Sequence, residues 1–175
     1  IKMDHIVHAI PPVYDENSRV LILGTIPSPK SRQMGFFYGH PQNRFWKVMA
    51  ALLEEETPMG IEERRAFLIR HHIALWDVLA SCDIQGASDS SIQNPVVNDF
   101  TPIFQQAAIR QVFTTGKTGT KLYQKLTGHQ SIYLPSTSPA NCAMKWDALL
   151  DAYRVVLPYL KEANGQKSST DVEKG

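Results

Sequence analysis

Apolar positions in this chain fall into short unbroken runs that alternate with stretches of helical spacing. Arg19–Gly24 (RVLILG) is a β-branched and leucine run closed by glycine, the pattern of a strand buried on both faces. From Gln42 onward, Phe45, Trp46, Met49, Leu52 and Leu53 recur at helical intervals. Glu62–Arg70 predicts a second helix and Ile73–Trp76 a second short strand; residues 99–107 predict a further helix. Gln111–Thr114 and Ser131–Leu134 predict two more strands, separated by a helix over Lys117–Leu126. Trp146, Leu149, Leu150, Tyr153, Leu157 and Leu160 share one stripe of a final helix, which Pro158 interrupts. Ile1–His5 and the polar stretch 163–175 offer nothing to bury and read as unstructured ends. A single domain over residues 6–162 remains.

Strands and helices in alternation predict an α/β fold: a three-layer α/β/α sandwich around a central, mainly parallel four-stranded sheet. In such sheets ligands bind at the carboxyl ends of the strands. The loops to inspect are therefore Thr25–Gln42, Asp77–Asn98, Thr115–Gly119 and Pro135–Lys145.

Composition narrows the classes. With 175 residues, 43% hydrophobic and 20% charged, the chain has enough apolar material for one core, and collagen-like, coiled-coil and disordered classes are excluded. No apolar run reaches the roughly 18 residues of a membrane span, and no secretory signal pattern is present, so no membrane partner is expected. Lys+Arg (18) nearly balances Asp+Glu (17), which argues against a whole-protein electrostatic grip on nucleic acid and leaves only local patches. Two cysteines are too few for a disulfide framework or a four-thiolate cluster and fit a reducing, cytoplasmic setting. His71-His72 are adjacent, so they point apart, and no carboxylate spacing completes a metal site. Neither metal nor cofactor is expected.

Two loops carry candidate chemistry. The first is long for a strand-to-helix connection, where roughly two to six residues are usual. It holds three prolines and the consecutive aromatics Phe36, Phe37 and Tyr38. Stiffness with flat aromatic faces suits a slot for a planar ring such as a nucleobase; equally, such aromatics can cap the sheet. Leu134-Pro-Ser-Thr-Ser-Pro-Ala-Asn places hydroxyls and an amide directly after a strand, where backbone N–H groups can approach a phosphate or a base edge. Taken alone, it is also an ordinary turn with a helix cap.

Together the two loops resemble a known family. Gly35-Phe-Phe-Tyr-Gly-His-Pro-Gln-Asn-Arg-Phe-Trp-Lys-Val is similar to the mismatch-specific uracil-DNA glycosylases, whose segment has the form GF-x-F-A-H-P-x-N-R-F-W-K. Gly24-Thr-Ile-Pro-Ser stands where the uracil-DNA glycosylase superfamily carries its first motif, and Leu134-Pro-Ser-Thr-Ser-Pro-Ala-Asn where it carries its second. The departures select a branch. The third position of the first motif, usually Asp, Asn or Glu, is Ile26, and the second motif is headed by Ser136 rather than His or Asn. This pattern resembles the hypoxanthine-DNA glycosylase branch.

The resemblance implies a monofunctional glycosylase of damaged DNA, duplex or single-stranded, acting as a monomer in base excision repair, with hypoxanthine favoured and uracil or xanthine as further substrates. It implies that Asn43 is the working amide, aiming a water, with Ser136 as the second catalytic group. Gly24, Thr25, Ile26, Pro27, Phe36, Phe37, Tyr38 and His40 would form the base pocket, with Tyr38 stacked on the base. Lys30, Ser31, Arg32, Lys117, Thr118, Ser138 and Lys145 would contact DNA, and Pro139, Ala140 and Asn141 would wedge the duplex. Three alternatives stay open. One is a mismatch-specific uracil-DNA glycosylase. Another is a catalytically weak damaged-DNA binder, suggested by Ile26. The third is a nucleotide-binding protein, suggested by Thr115-Gly-Lys-Thr, although Gln111 stands where a phosphate-binding loop needs its first glycine.

Overall fold

In the computed structural model, residues 2–162 are described; the tail expected over 163–175 lies outside them. Strands β1 (Asp4–Val7) and β2 (Val20–Gly24) are followed by helices α1 (Pro29–Met34), α2 (Phe45–Leu52) and α3 (Gly60–Arg70). Next come β3 (Ile73–Asp77), β4 (Leu79–Gln85), β5 (Ser88–Val97), α4 (Thr101–Gln106), β6 (Gln111–Thr115) and α5 (Lys117–Thr127). The chain continues through β7 (Ile132–Leu134), a 3-10 turn at Pro139–Asn141, α6 (Trp146–Tyr153), a 3-10 turn at Arg154–Val156 and α7 (Leu157–Leu160).

The four apolar strands form one parallel sheet in the order β3-β2-β6-β7, the expected architecture. Alternate residues of β2 feed opposite cores. Val20 and Ile22 pack with Phe45, Met49, Phe67, Leu149 and Tyr153, from α2, α3 and α6. Leu21 and Leu23 pack with Val78, Leu79, Cys82, Phe100, Ile103 and Tyr123 on the other face. A strand buried on both sides must be apolar throughout, which is why RVLILG has no polar alternation.

Three expectations are corrected. Within the end expected to be unstructured, Asp4 and His5 belong to β1, which pairs antiparallel with β4, Asp4 opposite Ile84; Ile1 lies outside the described residues. The presumed loop 77–98 is a hairpin, β4 and β5, which with β1 makes a second sheet of order β1-β4-β5. The first loop contains α1, bounded by ordinary signals: the Ser28 hydroxyl accepts from the Ser31 N–H, Pro29 takes the first helical position, and Gly35 closes it at φ 76°. The helix expected from Gln42 begins at Phe45, because the Asn43 side chain accepts from the Phe45 N–H (2.9 Å) in an Asx turn. Pro158 divides the last helix as expected: α6 passes through a 3-10 turn into α7.

The final helix also braces the loop after β7. The fully buried Tyr153 hydroxyl donates to the Pro135 carbonyl (2.6 Å). Burial pushes this phenol well above its ordinary pKa, so it stays protonated and able to donate. Tyr153→Phe leaves a buried carbonyl without its donor and is expected to cost about 1–3 kcal/mol of stability in urea unfolding.

Candidate active site

The carboxyl ends of β2, β3 and β6 open into a cavity of about 580 Å³, within the range of small-ligand sites. Gly24 to Pro27 leave β2 along one side of it, and Asp77 closes its floor from β3. Thr115 and Gly116 border it from β6, and Ser136 to Ala140 from the loop after β7. Phe37, Tyr38, His40 and Asn43 descend from the connection to α2, while Ile84, Gly86, Ala87 and Asp89 overhang it from the β4–β5 hairpin.

Asn43 ties the two signature loops together. Its Oδ1 accepts from the Phe45 N–H and also from the Thr137 hydroxyl (2.8 Å), which is buried. The Phe45 N–H can only donate, so it fixes which end of the carboxamide it faces. Both bonds to the carboxamide end on the oxygen, so among the described residues its N–H₂ keeps its hydrogens unengaged in a residue that borders the cavity. Arg44 reinforces the link: its backbone N–H donates to the Thr137 carbonyl and its guanidinium to the carbonyls of Met144 (2.7 Å) and Asn141 (3.1 Å).

Tyr38 sits at φ 51°, in the left-handed region, a strain on the order of 1 kcal/mol. One ring face stacks on Phe45 (centroids 4.1 Å, 15° between planes). Its hydroxyl lies 3.4 Å from Thr115 Oγ1. Burial, then the charge of Asp77, pushes its pKa up, with the Thr115 hydroxyl opposing; the phenol is therefore a standing donor.

Asp77 is buried, at 5% exposure, and its Oδ2 accepts from His8 Nε2 (2.7 Å). His8 Nδ1 accepts from the Ile10 N–H (3.2 Å), which assigns the ring proton to Nε2. The His8 ring is edge-on to Trp76. Asp89 stands exposed at the rim, yet its carboxyl lies close enough to the wall for burial to raise its pKa; the Thr25 hydroxyl opposes the shift and Asp77 adds to it.

Of the expected site residues, Gly24, Thr25, Ile26, Pro27, Lys30, Phe37, Tyr38, His40, Asn43, Ser136, Ser138, Pro139 and Ala140 border this one cavity. Phe36 does not: at 2% exposure it stacks on Trp46 (14° between planes) in the core, because the backbone turns it away from Phe37. Ser31 borders the cavity, but it is buried and its hydroxyl is spent inside the loop, accepting from the Gly39 N–H and from Ser28. Arg32 Nη1 donates to the Pro27 carbonyl, locking the loop. Asn141 donates to the Ser136 carbonyl (2.9 Å), shaping the second loop from within. Lys117 and Lys145 are exposed and do not border the cavity, nor does Thr118, half-buried on α5. Gln111 lies inside β6 and only Gly116 separates that strand from α5, so no phosphate-wrapping loop forms there.

No motif or spacing marks His8, which reaches Asp77 across 69 positions. Asp89 was hidden in a polar run that shows no role until the hairpin folds. Thr137 stands between two serines and carries no signal that separates it from them.

A match to the model of the uracil DNA glycosylase superfamily spans residues 11–161. A Methanosarcina acetivorans protein named hypoxanthine DNA glycosylase is 33% identical over 141 residues, covering 78% of this chain and 89% of its own length. A Methanosarcina barkeri protein of the same name is 33% identical over 135 residues, covering 75% and 85%. The solution NMR structure of a Methanosarcina acetivorans protein proposed to be a uracil DNA glycosylase superposes with a TM-score of 0.75 at 28% identity, covering 89% of this chain and 98% of that one.

Gly24 allows the cavity floor to close. A Cβ there would stand 2.4 Å from Asp77 Oδ1 and 3.4 Å from the Tyr38 hydroxyl. Gly24→Ala is expected to cost about 1–3 kcal/mol in urea unfolding. The penalty should fall by at least about half in an Asp77→Ala background, since the two positions collide.

Proposed function

This chain belongs to the uracil DNA glycosylase superfamily and is a DNA glycosylase, and we propose that the base it removes is deaminated, with hypoxanthine favoured. The observation that carries this reading is the cavity at the carboxyl edge of the sheet, bordered by Asn43 from one signature loop and Ser136 from the other. The names of the two relatives at 33% identity support the purine lesion. Uracil is the second reading, favoured by the block from His40 to Trp46 and by the solved neighbour.

The target nucleotide flips out of the helix into the cavity, at a cost of a few kcal/mol that is smallest for a mispaired base. Phe37 and the Tyr38 ring form the wall beside it. The bond between the sugar C1′ and the base nitrogen then breaks, its electron pair leaving with the base, through an oxocarbenium-like transition state. Water adds to C1′ and loses a proton, the departing base gains one, and an abasic site remains. Asn43 acts by placement rather than basicity: its amide N–H₂ holds the water oxygen, leaving a lone pair for C1′. Ser136 offers its hydroxyl from the opposite loop, its oxygen held by the Ser138 N–H (3.1 Å). Lys30, on exposed α1, and the exposed Lys117 and Lys145 supply phosphate contacts. The turn at Pro139–Asn141 enters the gap left by the base.

Single-turnover assays on duplexes carrying one hypoxanthine, uracil or xanthine test this reading. Hypoxanthine should be released fastest. Asn43→Ala should slow release by about 100-fold or more, the scale of losing a placed catalytic donor. Thr137→Val removes only the hydroxyl that steadies Asn43 and should cost less. A monofunctional enzyme leaves the strand intact until alkali is added; a borohydride-trapped adduct would contradict this.

A further inference from the structure

Water addition at C1′ releases a proton, and neither an amide nor an alcohol is a base that takes it. Of the two carboxylates that border the cavity, Asp77 lies on the floor and gives one oxygen to His8. Asp89 stands at the mouth, exposed, and among the described residues it forms no ion pair. Its position is nonetheless fixed. The hairpin turns at Gly86 (φ 59°) and is laced across: the Gln85 N–H donates to Ser91 Oγ (2.8 Å), and the Ser91 hydroxyl to the Ser88 carbonyl (2.6 Å). The Asp89 carboxylate itself accepts from the hydroxyl of the buried Thr25. Helix α5 confines that hydroxyl, since a Cβ on Gly119 would stand 2.8 Å from Thr25 Oγ1.

Depth decides which part of the nucleotide each group meets. A flipped nucleotide stays tethered to its strand, so the base goes to the floor and the sugar remains at the mouth. Positive charge develops on that sugar as the bond breaks. We propose that Asp89 is a catalytic residue: its carboxylate faces the anomeric carbon, opposes the charge developing there and takes the proton of the attacking water. The step balances. The base leaves with the C1′–N electron pair, the water oxygen bonds to C1′, and the proton passes to Asp89, which returns it to solvent. Burial raises the pKa of this carboxyl and Asp77 adds to the shift, with the Thr25 hydroxyl opposing, so it is a stronger base than a free carboxylate. Its charge repels the flanking phosphates throughout and gains an attraction only when the sugar becomes cationic. It therefore adds to rate and not to affinity. The role of Asp89 rests on the hydrolytic reading above, and not on which base is removed.

Other titratable groups surround it: Asp77 of β3, Tyr38 and His40 of the connection to α2, Lys30 of α1, and Cys82 and Asp83 of β4. Helix α5, packed on β5, brings Lys117, Lys121, Tyr123 and Lys125. A pH dependence that vanishes in Asp89→Asn separates Asp89 from all of them. The first measurement is binding of the full chain to two base-free duplexes, one with a cationic pyrrolidine and one with a neutral tetrahydrofuran at the lesion position. Wild type should hold the cationic duplex about tenfold tighter or more, the scale of one charge pair in a partly solvated site, and folded Asp89→Asn should hold the two within about threefold. The second is single-turnover release of the lesion that wild type removes fastest. Asp89→Asn should slow it by about 100-fold or more, with the Kd of the uncleaved duplex unchanged or lower. It should also lose the fall in rate on acidification that wild type shows at a pH above the ordinary carboxylate value. An undiminished preference for the cationic duplex, or release within about threefold of wild type, overturns the role of Asp89. Thermal melting shows whether the variant folds. If it does not, the wild-type pair decides: a ratio near one overturns the role, and a tenfold ratio lost on acidification, while the pyrrolidine stays charged, supports it. Neither duplex carries a base, so this arm stands even where hypoxanthine is not the lesion released. Failure to release any of the three lesions would instead overturn the function proposed above.

Discussion

The double acceptance by Asn43 Oδ1 is the constraint on which the site depends. One donor is the first N–H of α2 and the other the Thr137 hydroxyl from a loop 94 positions away. The same two bonds start a helix, join the two signature loops and orient the carboxamide. Arg44 repeats the connection through three further bonds to the second loop. Tyr153 holds that loop from below. An uncharged group can contribute to bond cleavage only if its geometry is held, and this network is what holds it.

The parallel sheet could be read from the sequence because burial on both faces gives its strands unbroken apolar runs, with polar residues only toward their ends. The site loops were legible for a different reason: Gly24, Asn43 and the residues around Ser136 stand in a spaced block long enough to resemble one family. The second sheet was not legible. Four of the first six residues of β5 are exposed, and Pro95 reads as a breaker, although at a sheet edge a proline costs no ladder bond. Four-residue β1 acquires its identity only by pairing with β4. Phe36 and Phe37 could not be told apart as core and cavity wall, because adjacent aromatics give no sign of which way the backbone turns. The caps of α1, by contrast, were present as Ser28, Pro29 and Gly35, and the length of the loop concealed them.

The floor of the cavity shows how charge and space are matched. Ile26 supplies no carboxylate from the first motif, yet the cavity is bordered by two, Asp77 from β3 and Asp89 from the hairpin. Burial raises Asp89 against the opposing Thr25 hydroxyl, and repulsion from Asp77 adds to it, while His8 donates to Asp77. The cavity thus carries, at its rim, a carboxylate that is easier to protonate than a free one.

The hairpin tip at Gly86 and Ala87 borders the cavity but is carried by the antiparallel sheet, apart from the parallel strands that hold Asn43 and Ser136. Lengthening or recolouring that turn would redraw the outline of the cavity and leave Asn43 and Ser136 where they are. In evolutionary terms, that outline is an interchangeable part, free to drift while the two signature loops stay put.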